Sequence, residues 1–208
     1  MHLDLTEIIV ILTYVSMLIE IVVFPVPSVA SSFQLILREK SLPSEYLFNK
    51  VQKLNLWQKI ILLAFPSLLS VIAFCTPLIL IVISKFSDVS IDKTERTELI
   101  IIAFLLILTG RIISLYSVMN IRKNNHQKGQ SFDLKTSNIF SFSRNPILLG
   151  LYISFIGMII LFPKWVMLLA FGYYVVHMHF RILIEESFLK YKFGNKYEKY
   201  QNQTKRYF

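Results

Sequence analysis

The sequence predicts an all-α integral membrane protein with about five transmembrane helices, a C-terminal helical hairpin and a cytoplasmic amphipathic tail helix. Three observations predict this class. Hydrophobic residues make up 54% of the 208 residues, and the mean hydropathy is +0.56, which is too apolar for an ordinary soluble domain of this size. The apolar residues form stretches long enough to cross a bilayer, and the charged residues lie between them. We therefore expect a single polytopic domain, 1–208.

The first part of this domain, residues 1–121, is predicted to hold three spans, at residues 7–24, 57–84 and 98–119. The second of these spans is longer than the ~20 residues that a bilayer requires. It also contains Pro66 and Pro77. Because proline removes a helical hydrogen bond, we expect this span to tilt or kink.

The second part of the domain, residues 122–208, is predicted to hold a polar loop, two further spans and the tail helix. The two spans cover residues 147–162 and 165–184, and only Pro163-Lys164 separates them. A connection this short predicts a tight helical hairpin. Polar residues gather at the end of the hairpin opposite this turn, which makes that end the first place to look for a site.

The formal net charge of +9 admits two interpretations. A nucleic-acid-binding protein gathers basic residues on one compact face. In this chain Lys and Arg instead follow the first, third and fifth spans, whereas acidic residues offset them in the loop after the second span. That distribution is typical of the positive-inside bias of membrane proteins. It predicts an N-terminus outside, a C-terminus in the cytoplasm and no nucleic-acid partner.

The fifth span carries a stripe of polar side chains. Tyr173, His177, Arg181 and Glu185 recur at every fourth residue, so they share one helix face, and Glu186 lies about 100° around the helix from Glu185. Ionisable groups at membrane depth usually turn towards protein or water, so the stripe indicates a site. The alternative is that the charged pair meets at the membrane interface while the histidines lie among lipid headgroups.

A metal centre is a rival use of the histidines. His177 and His179 are two residues apart on a helix, so their rings point about 200° apart, which is poor geometry for sharing one ion. Cys75 is the only cysteine, so a cysteine-based metal site and an intramolecular disulfide are both excluded. We predict no metal.

The motif residues of the last third of the chain resemble the signature of one membrane methyltransferase superfamily, which includes isoprenylcysteine carboxyl methyltransferases and phospholipid N-methyltransferases. They are Arg144-Asn145-Pro146, Gly150, Glu185-Glu186, Leu189, Phe193-Gly194, Tyr197, Tyr200 and Arg206. One position departs from the pattern, since Leu148 stands where the superfamily usually has Tyr.

The resemblance implies S-adenosylmethionine as cofactor and no metal. Together with the polar stripe of the fifth span, which adds His177 and Arg181, it predicts a set of site residues. The predicted cofactor-binding residues are Arg144, Asn145, Pro146, Gly150, His177, Arg181, Glu185, Glu186, Tyr197 and Arg206, and the predicted catalytic residues are Arg144, Glu185 and His177. The residue types suit that molecule. Carboxylates accept hydrogen bonds from its ribose hydroxyls and amino group, and a guanidinium such as that of Arg144 or Arg206 can bind its carboxylate with two parallel hydrogen bonds.

The resemblance also implies methyl transfer to a lipophilic acceptor, most closely an isoprenylcysteine-like carboxylate, with phosphatidylethanolamine as the alternative. The expected partners are the lipid bilayer and a membrane lipid or a prenylated small molecule or peptide. Two interpretations from other classes stay open. An NADPH-dependent membrane reductase would bind the nicotinamide cofactor instead, and a non-enzymatic membrane scaffold would bind neither cofactor.

Local patterns around the hairpin give further expectations. Pro146 suits the first turn of a helix, with Asn145 as its N-cap. Small residues at Gly150, Ser154 and Gly157 form a face that would let the fifth span approach closely.

Glu20 and Arg111 are isolated charges in the interior of the first and third spans. They could pair with each other, or Arg111 could line a substrate cavity. In the tail, Phe193-Gly194 is predicted to end a helix. Tyr197 and Tyr200 could then cover a pocket or anchor the tail at headgroup level.

Overall fold

The computed structural model describes residues 3–23, 47–87, 93–127 and 134–207. Within these ranges the chain is helical and has no strand, as predicted. Its helices are α1 (Leu5–Val23), α2 (Leu47–Gln52), α3 (Leu56–Phe74), α4 (Thr76–Phe86), α5 (Thr97–Gln127), α6 (Pro146–Leu161), α7 (Trp165–Phe193) and α8 (Asn195–Gln203), with a 3-10 turn at Asn138–Ser141. The basic residues Arg38 and Lys40, which contribute to the predicted orientation, lie outside the described residues.

The long helices of the described residues are apolar, as a membrane protein requires. Three of them are long and apolar enough to cross a membrane, namely α3, α7 and the Thr97–Ile121 part of α5. The apolar helices α4 and α6 are shorter. Helix α1 coincides with the predicted first span but is not one of those three. The fold class is confirmed, whereas the number of five spans stays a prediction.

The predicted second span is divided at Cys75 into α3 and α4. Pro77 has no N–H for the carbonyl of Ala73, and the regular hydrogen-bond ladder stops there. A second irregularity precedes Pro66, where Ile60–Ala64 forms a wider π-helical turn. Both prolines therefore mark the places where this span departs from a straight helix, which agrees with the expected kinking.

The small-residue face of α6 packs against α5 and not against the fifth span, so the expectation for this face is wrong. A Cβ atom on Gly150 would lie 2.5 Å from the carbonyl oxygen of Gly110, and one on Gly157 would lie 2.7 Å from that of Ala103. Gly110 and Ala103 are themselves small and seven residues apart on α5. Two small-residue faces thus meet, which lets the backbones of α5 and α6 touch.

An aromatic cluster at the centre of the bundle joins four helices. The ring of Phe74, at the end of α3, lies 5.7 Å from Tyr14 of α1, 5.8 Å from Phe155 of α6 and 4.9 Å from Tyr174 of α7, measured between ring centroids. Phe155 and Tyr174 are buried. Because such ring pairs bury large apolar surfaces, this cluster fixes α6 and α7 relative to α1 and α3.

One end of the bundle is held by ion pairs. Lys93 Nζ lies 2.5 Å from Asp4 Oδ2 and 2.6 Å from Glu7 Oε1, and Lys85 Nζ lies 2.9 Å from Glu7 Oε2. The backbone N–H of Thr94 donates to the carbonyl of Leu161 at 3.0 Å. The start of α1, the end of α4, the start of α5 and the tip of the hairpin therefore share this end.

Asp4 gives this end a predictable pH dependence. Burial tends to raise the pKa of Asp4, but hydrogen bonds from Lys93 and from the backbone N–H of Glu7 outweigh it and lower the pKa from 3.8 to about 2. A lowered folded-state pKa contributes stability above the unfolded value, and that contribution is lost as the pH falls through the folded value.

We expect Asp4→Asn to lower the melting temperature slightly near neutral pH and to have a much smaller effect near pH 2. The effect is small because the Asp4 side chain is 47% exposed and its ion pair is screened by salt. Thermal unfolding of both proteins across this pH range measures it. A difference that stays constant down to pH 2 would contradict the assigned role of the Asp4 carboxylate.

Candidate functional site

The other end of the hairpin is where α6 begins and α7 nears its end. Glu186, on α7, is buried with 7% of its surface exposed. Its Oε1 accepts hydrogen bonds from Arg144 Nε at 3.1 Å and Arg144 Nη2 at 2.9 Å. Arg206 donates to the same carboxylate, from Nε at 3.1 Å and from Nη2 at 2.7 Å. One carboxylate thus binds two guanidinium groups, one from the segment before the hairpin and one from the tail after it.

Arg144 also holds the tail through backbone carbonyls. Its Nη1 donates to the carbonyl of Thr204 at 2.6 Å and to that of Gln201 at 3.1 Å, and its backbone N–H donates to Lys205 at 3.0 Å. All three nitrogens of the Arg144 guanidinium therefore have partners within the protein. This side chain clamps the residues after α8 onto the start of α6.

The tail folds back because α7 ends at Gly194, as predicted. Gly194 has φ +50°, a backbone conformation that residues with a Cβ rarely adopt, so the chain can reverse there into α8. Tyr197 and Tyr200 are buried against Leu134. The Tyr200 hydroxyl donates to the carbonyl of Phe140 at 2.6 Å.

Burial raises the pKa of Tyr197 and raises that of Tyr200 to about 12. Both phenols are protonated at neutral pH, so neither acts as an anion there. Both side chains pack within the protein, against the segment that precedes α6.

Asn145 does not cap α6, so that expectation is wrong. Pro146 is the first residue of the helix, as predicted, but the Asn145 side chain makes no capping hydrogen bond. Its Nδ2 instead donates to the carbonyl of Arg206 at 3.3 Å. Ser143 Oγ donates to the same carbonyl at 3.1 Å. The tail competes for the side chain that would otherwise cap the helix.

Arg181 and Glu185 carry charges that the described protein leaves without hydrogen-bond partners. No hydrogen bond or ion pair joins either side chain to a residue that the structure describes, although the two are close enough to interact electrostatically. Glu185 is exposed, whereas its neighbour Glu186 is buried, because consecutive helical residues point about 100° apart.

The other half of the polar stripe packs against α3. The Tyr173 hydroxyl donates to the carbonyl of Pro66 at 3.1 Å, and His177 Nε2 lies 3.5 Å from Ser67 Oγ. The His179 side chain instead contacts the tail, where its Nδ1 lies 3.2 Å from the Tyr207 hydroxyl. In the described ranges, no group of three or more His, Cys, Asp or Glu side chains is arranged to hold a metal ion.

Comparison with known proteins identifies the family. The model of the phospholipid methyltransferase family matches residues 99–196. This region of the chain is similar to the phospholipid methyltransferase family. The predicted superfamily is therefore confirmed, and it indicates a membrane methyltransferase. Neither a curated protein nor a solved structure matches the chain.

The phospholipid methyltransferase region covers α5, the loop before α6, the hairpin and the first residues of α8. It contains Arg144, Arg181, Glu185 and Glu186. It stops just before Tyr197 and well before Arg206. The matched residues 99–196 thus contain Arg144 and the charged residues of α7. The other members of the cluster, Tyr197 and Arg206, lie in the tail beyond the matched region.

Some residues implied by the resemblance come together and others do not. The residues that lie together at this end of the hairpin are Arg144, Asn145, Pro146, Glu186, Tyr197 and Arg206, with Arg181 and Glu185 nearby on α7. Gly150 instead faces α5, and His177 faces α3.

Tyr207 was missed by the sequence analysis. Its ring centroid lies 6.2 Å from that of Tyr152 and 6.2 Å from that of His179, so it lies between α6 and α7. Its position in the sequence, directly after the motif residue Arg206, could have identified it as a candidate site residue. The backbone carbonyls that bind Arg144 left no signal, because a carbonyl is present at every residue.

Proposed function

We propose that this member of the phospholipid methyltransferase family transfers the methyl group of S-adenosylmethionine to a lipophilic acceptor within the membrane. The family match supports methyl transfer. One observation carries the assignment of the site: the side chains of Arg181 and Glu185 have no hydrogen-bond partner in the described protein, next to a Glu186 cluster whose charged groups are joined by hydrogen bonds. A charge without a protein partner is available to a ligand, whereas a paired one must first be released.

The residues fit the polar groups of S-adenosylmethionine. We propose that Arg181 binds its carboxylate, since a guanidinium matches a carboxylate with two parallel hydrogen bonds. We propose that Glu185 accepts hydrogen bonds from its amino group or ribose hydroxyls. Arg144, Glu186 and Arg206, with Asn145 and Tyr197, would then close the tail over the cofactor.

The cofactor supplies a methyl group on a positively charged sulfur. The protein would contribute position and the exclusion of water, the two effects that most favour a direct displacement. Arg144 would act by holding the tail closed.

The acceptor decides whether a base is needed. A carboxylate acceptor, as in isoprenylcysteine, is already an anion and needs none. An amine acceptor, as in phosphatidylethanolamine, must lose a proton, for which we propose His177 or Glu185. We place the carboxylate first. The lipid amine stays as the second candidate, because the matching family is named for phospholipid methyltransferases. Methylated ethanolamine headgroups in lipid extracts would indicate the amine, and base-labile methyl esters the carboxylate.

We further propose that the N-terminus lies outside and the Glu186 cluster on the cytoplasmic side. The distribution of Lys and Arg supports this orientation. The fold is compatible with it, because the start of α1 and the hairpin tip share one end of the bundle while Glu186 lies at the other end of the hairpin. A water-soluble cofactor would then enter from the cytoplasm and the acceptor from the lipid.

Titration with S-adenosylhomocysteine tests the site. We expect Arg181→Met and Glu185→Gln each to weaken binding by about tenfold or more, because each removes hydrogen bonds to a charged group worth about 1.5–3 kcal/mol. Thermal stability should change little, since neither side chain has a hydrogen-bond partner in the described protein. Isothermal calorimetry of the detergent-solubilised protein measures both affinities.

Lys199→Met is the matched control, because Lys199 is an exposed cation on α8. It should bind the ligand like the wild type. Wild-type protein that binds no S-adenosylhomocysteine would refute the proposed function. Wild-type binding that both α7 variants retain in full would refute only this placement of the cofactor.

A further inference from the structure

A buried ion pair joins α1 and α5 away from the Glu186 cluster. Arg111 and Glu20 have only 6% and 8% of their surfaces exposed. Arg111 Nη2 donates to Glu20 Oε2. Arg111 Nε donates to Ser16 Oγ at 3.0 Å, and Ser114 Oγ donates to Glu20 Oε1 at 3.3 Å. Of the two uses left open for Arg111, pairing with Glu20 is the one the structure shows.

The pairing leaves part of the arginine unused. Arg111 Nη1 is buried and has no hydrogen-bond partner among the residues that the structure describes. A guanidinium carries five N–H donors, and Nη1 holds two of them. A buried donor without an acceptor is costly, and more so when it belongs to a charged group. The ion pair with Glu20 uses Nη2 and does not require Nη1. Nη1 is therefore available to an acceptor that the described residues do not supply.

The position of Arg111 on α5 places the ion pair towards the same end of the hairpin as the methyl-transfer site proposed above. Its neighbours Gly110 and Ser114 both contact α6 at Gly150, where a Cβ atom would lie 2.5 Å from the Gly110 carbonyl oxygen and 2.8 Å from the Ser114 nitrogen. Gly150 is four residues inside α6 from Pro146, which is about 6 Å along the helix axis. The ion pair therefore lies slightly deeper in the bundle than Arg144 and Glu186.

We propose that Arg111 Nη1 binds an anionic oxygen of the lipophilic acceptor, from either a phosphate or a carboxylate. This inference rests on the proposed function, since it assigns an anchor for the substrate of that reaction. A guanidinium matches both anions by its planar geometry. Such an oxygen would lie closer to the Arg111 cation than to the Glu20 carboxylate on Nη2, so attraction outweighs repulsion.

The surroundings suit an apolar chain attached to the anion. Leu108 and Ile112, on the same helix as Arg111, expose 44% and 58% of their surfaces, and Leu12 of α1 exposes 61%. In a membrane helix such side chains contact lipid. An acceptor could therefore keep its hydrocarbon part in the bilayer while its charged group reaches between α1 and α5.

Arg111→Lys isolates the unpaired nitrogen. Lysine keeps a cation for Glu20 but has no second nitrogen to replace Nη1. Both proteins would be studied in a non-ionic detergent with dodecyl phosphate, dodecanoate, dodecanol or inorganic phosphate. The apparent affinity follows from the dependence of the melting temperature on the concentration of each probe. We expect one or both charged amphiphiles to stabilise the wild type, with about tenfold weaker binding to Arg111→Lys.

Glu20→Gln provides a second variant with an effect of opposite sign. Glutamine can still accept the hydrogen bond from Arg111 Nη2, but the negative charge is gone, so dodecyl phosphate should bind more tightly than to the wild type. A purely structural pair would give no such gain. The second variant keeps the test decisive if Arg111→Lys does not fold.

The probes also identify the source of the anion. Preference for dodecyl phosphate supports a phospholipid-like acceptor, and preference for dodecanoate supports a prenylated carboxylate. Equal affinity of the wild type and Arg111→Lys would overturn the proposal. So would stabilisation by dodecanol or inorganic phosphate as large as that by the charged amphiphiles. The same samples are also titrated with S-adenosylhomocysteine, a ligand whose proposed site does not include Arg111. This titration distinguishes a failure of the proposed function from a failure of the Arg111 proposal.

Discussion

Glu186→Gln is expected to lower the free energy of unfolding by about 3–5 kcal/mol, the typical cost of breaking a buried ion pair by removing one partner. The substitution leaves Arg144 and Arg206 without their shared carboxylate, and both guanidinium groups are at least partly buried. Since these groups fasten the tail, α8 should detach before the rest of the bundle unfolds. Differential scanning fluorimetry in detergent measures the loss of stability.

Limited trypsin digestion gives a second readout of tail detachment. Lys199 and Lys205 are exposed near the C-terminus, and cleavage after them should become faster once α8 is released. Glu198→Gln is the matched control. Glu198 pairs with Lys190 at 2.8 Å, but both side chains are close to half exposed, so its loss should cost less than about 1 kcal/mol. Equal losses in the two variants would show that the Glu186 cluster does not hold the tail.

The stabilisation by Glu186 should not depend on the ionisation of Arg206 at any ordinary pH. The hydrogen bonds to Glu186 raise the pKa of Arg206 above its usual value. A group with a raised folded-state pKa contributes stability below its unfolded pKa and loses it only as the pH rises through the folded value. The Arg206 part of the effect is therefore fully present at neutral pH.

Gly150→Ala is expected to have the next largest effect, a destabilisation of about 1–3 kcal/mol that separates α5 from α6. The new Cβ atom would meet the Gly110 carbonyl oxygen at 2.5 Å, and backbone atoms cannot move aside as a flexible side chain can. Because α6 begins directly after Asn145, the same displacement should disturb the contacts of Arg144. The melting temperature in detergent and the affinity for S-adenosylhomocysteine measure the two consequences.

Gly172→Ala separates crowding from the general effect of adding a methyl group. Gly172 lies on α7, and apart from the adjoining backbone of that helix no described atom lies within 4 Å of the position that its Cβ would take. Alanine favours a helix over glycine by up to about 1 kcal/mol, so this variant should be as stable as the wild type or slightly more stable. If the melting temperature of Gly150→Ala is as high as that of Gly172→Ala, the close packing of α5 on α6 is wrong.

The hairpin and the meeting of its polar ends could be predicted from the sequence because local signals determine them. Pro163-Lys164 allows only a short turn, Pro146 marks a helix start, and Gly194 marks a helix end. Once the two helices are antiparallel neighbours, Arg144 and Glu186 must lie at the same end. The superfamily pattern pointed to the same residues.

Contacts between distant segments could not be predicted in the same way. Ser154 and Gly157 reveal a face that permits close approach, but they do not reveal which helix approaches, and α5 carries the matching small residues. Asn145 is a good N-cap by composition, yet its side chain binds the carbonyl of Arg206, 61 residues further along the chain. Such partners depend on the whole fold and not on local spacing.

The ion pair of Arg144 and Glu186 also bears on the order in which the protein folds. The two residues are 42 positions apart, and they meet only because the intervening helices double back on each other. Closure of the hairpin must therefore precede assembly of the charged cluster, and any change that delays closure delays the cluster as well. Extra residues inserted at Pro163 would thus slow maturation of the opposite end of the molecule while leaving every side chain of that end unaltered.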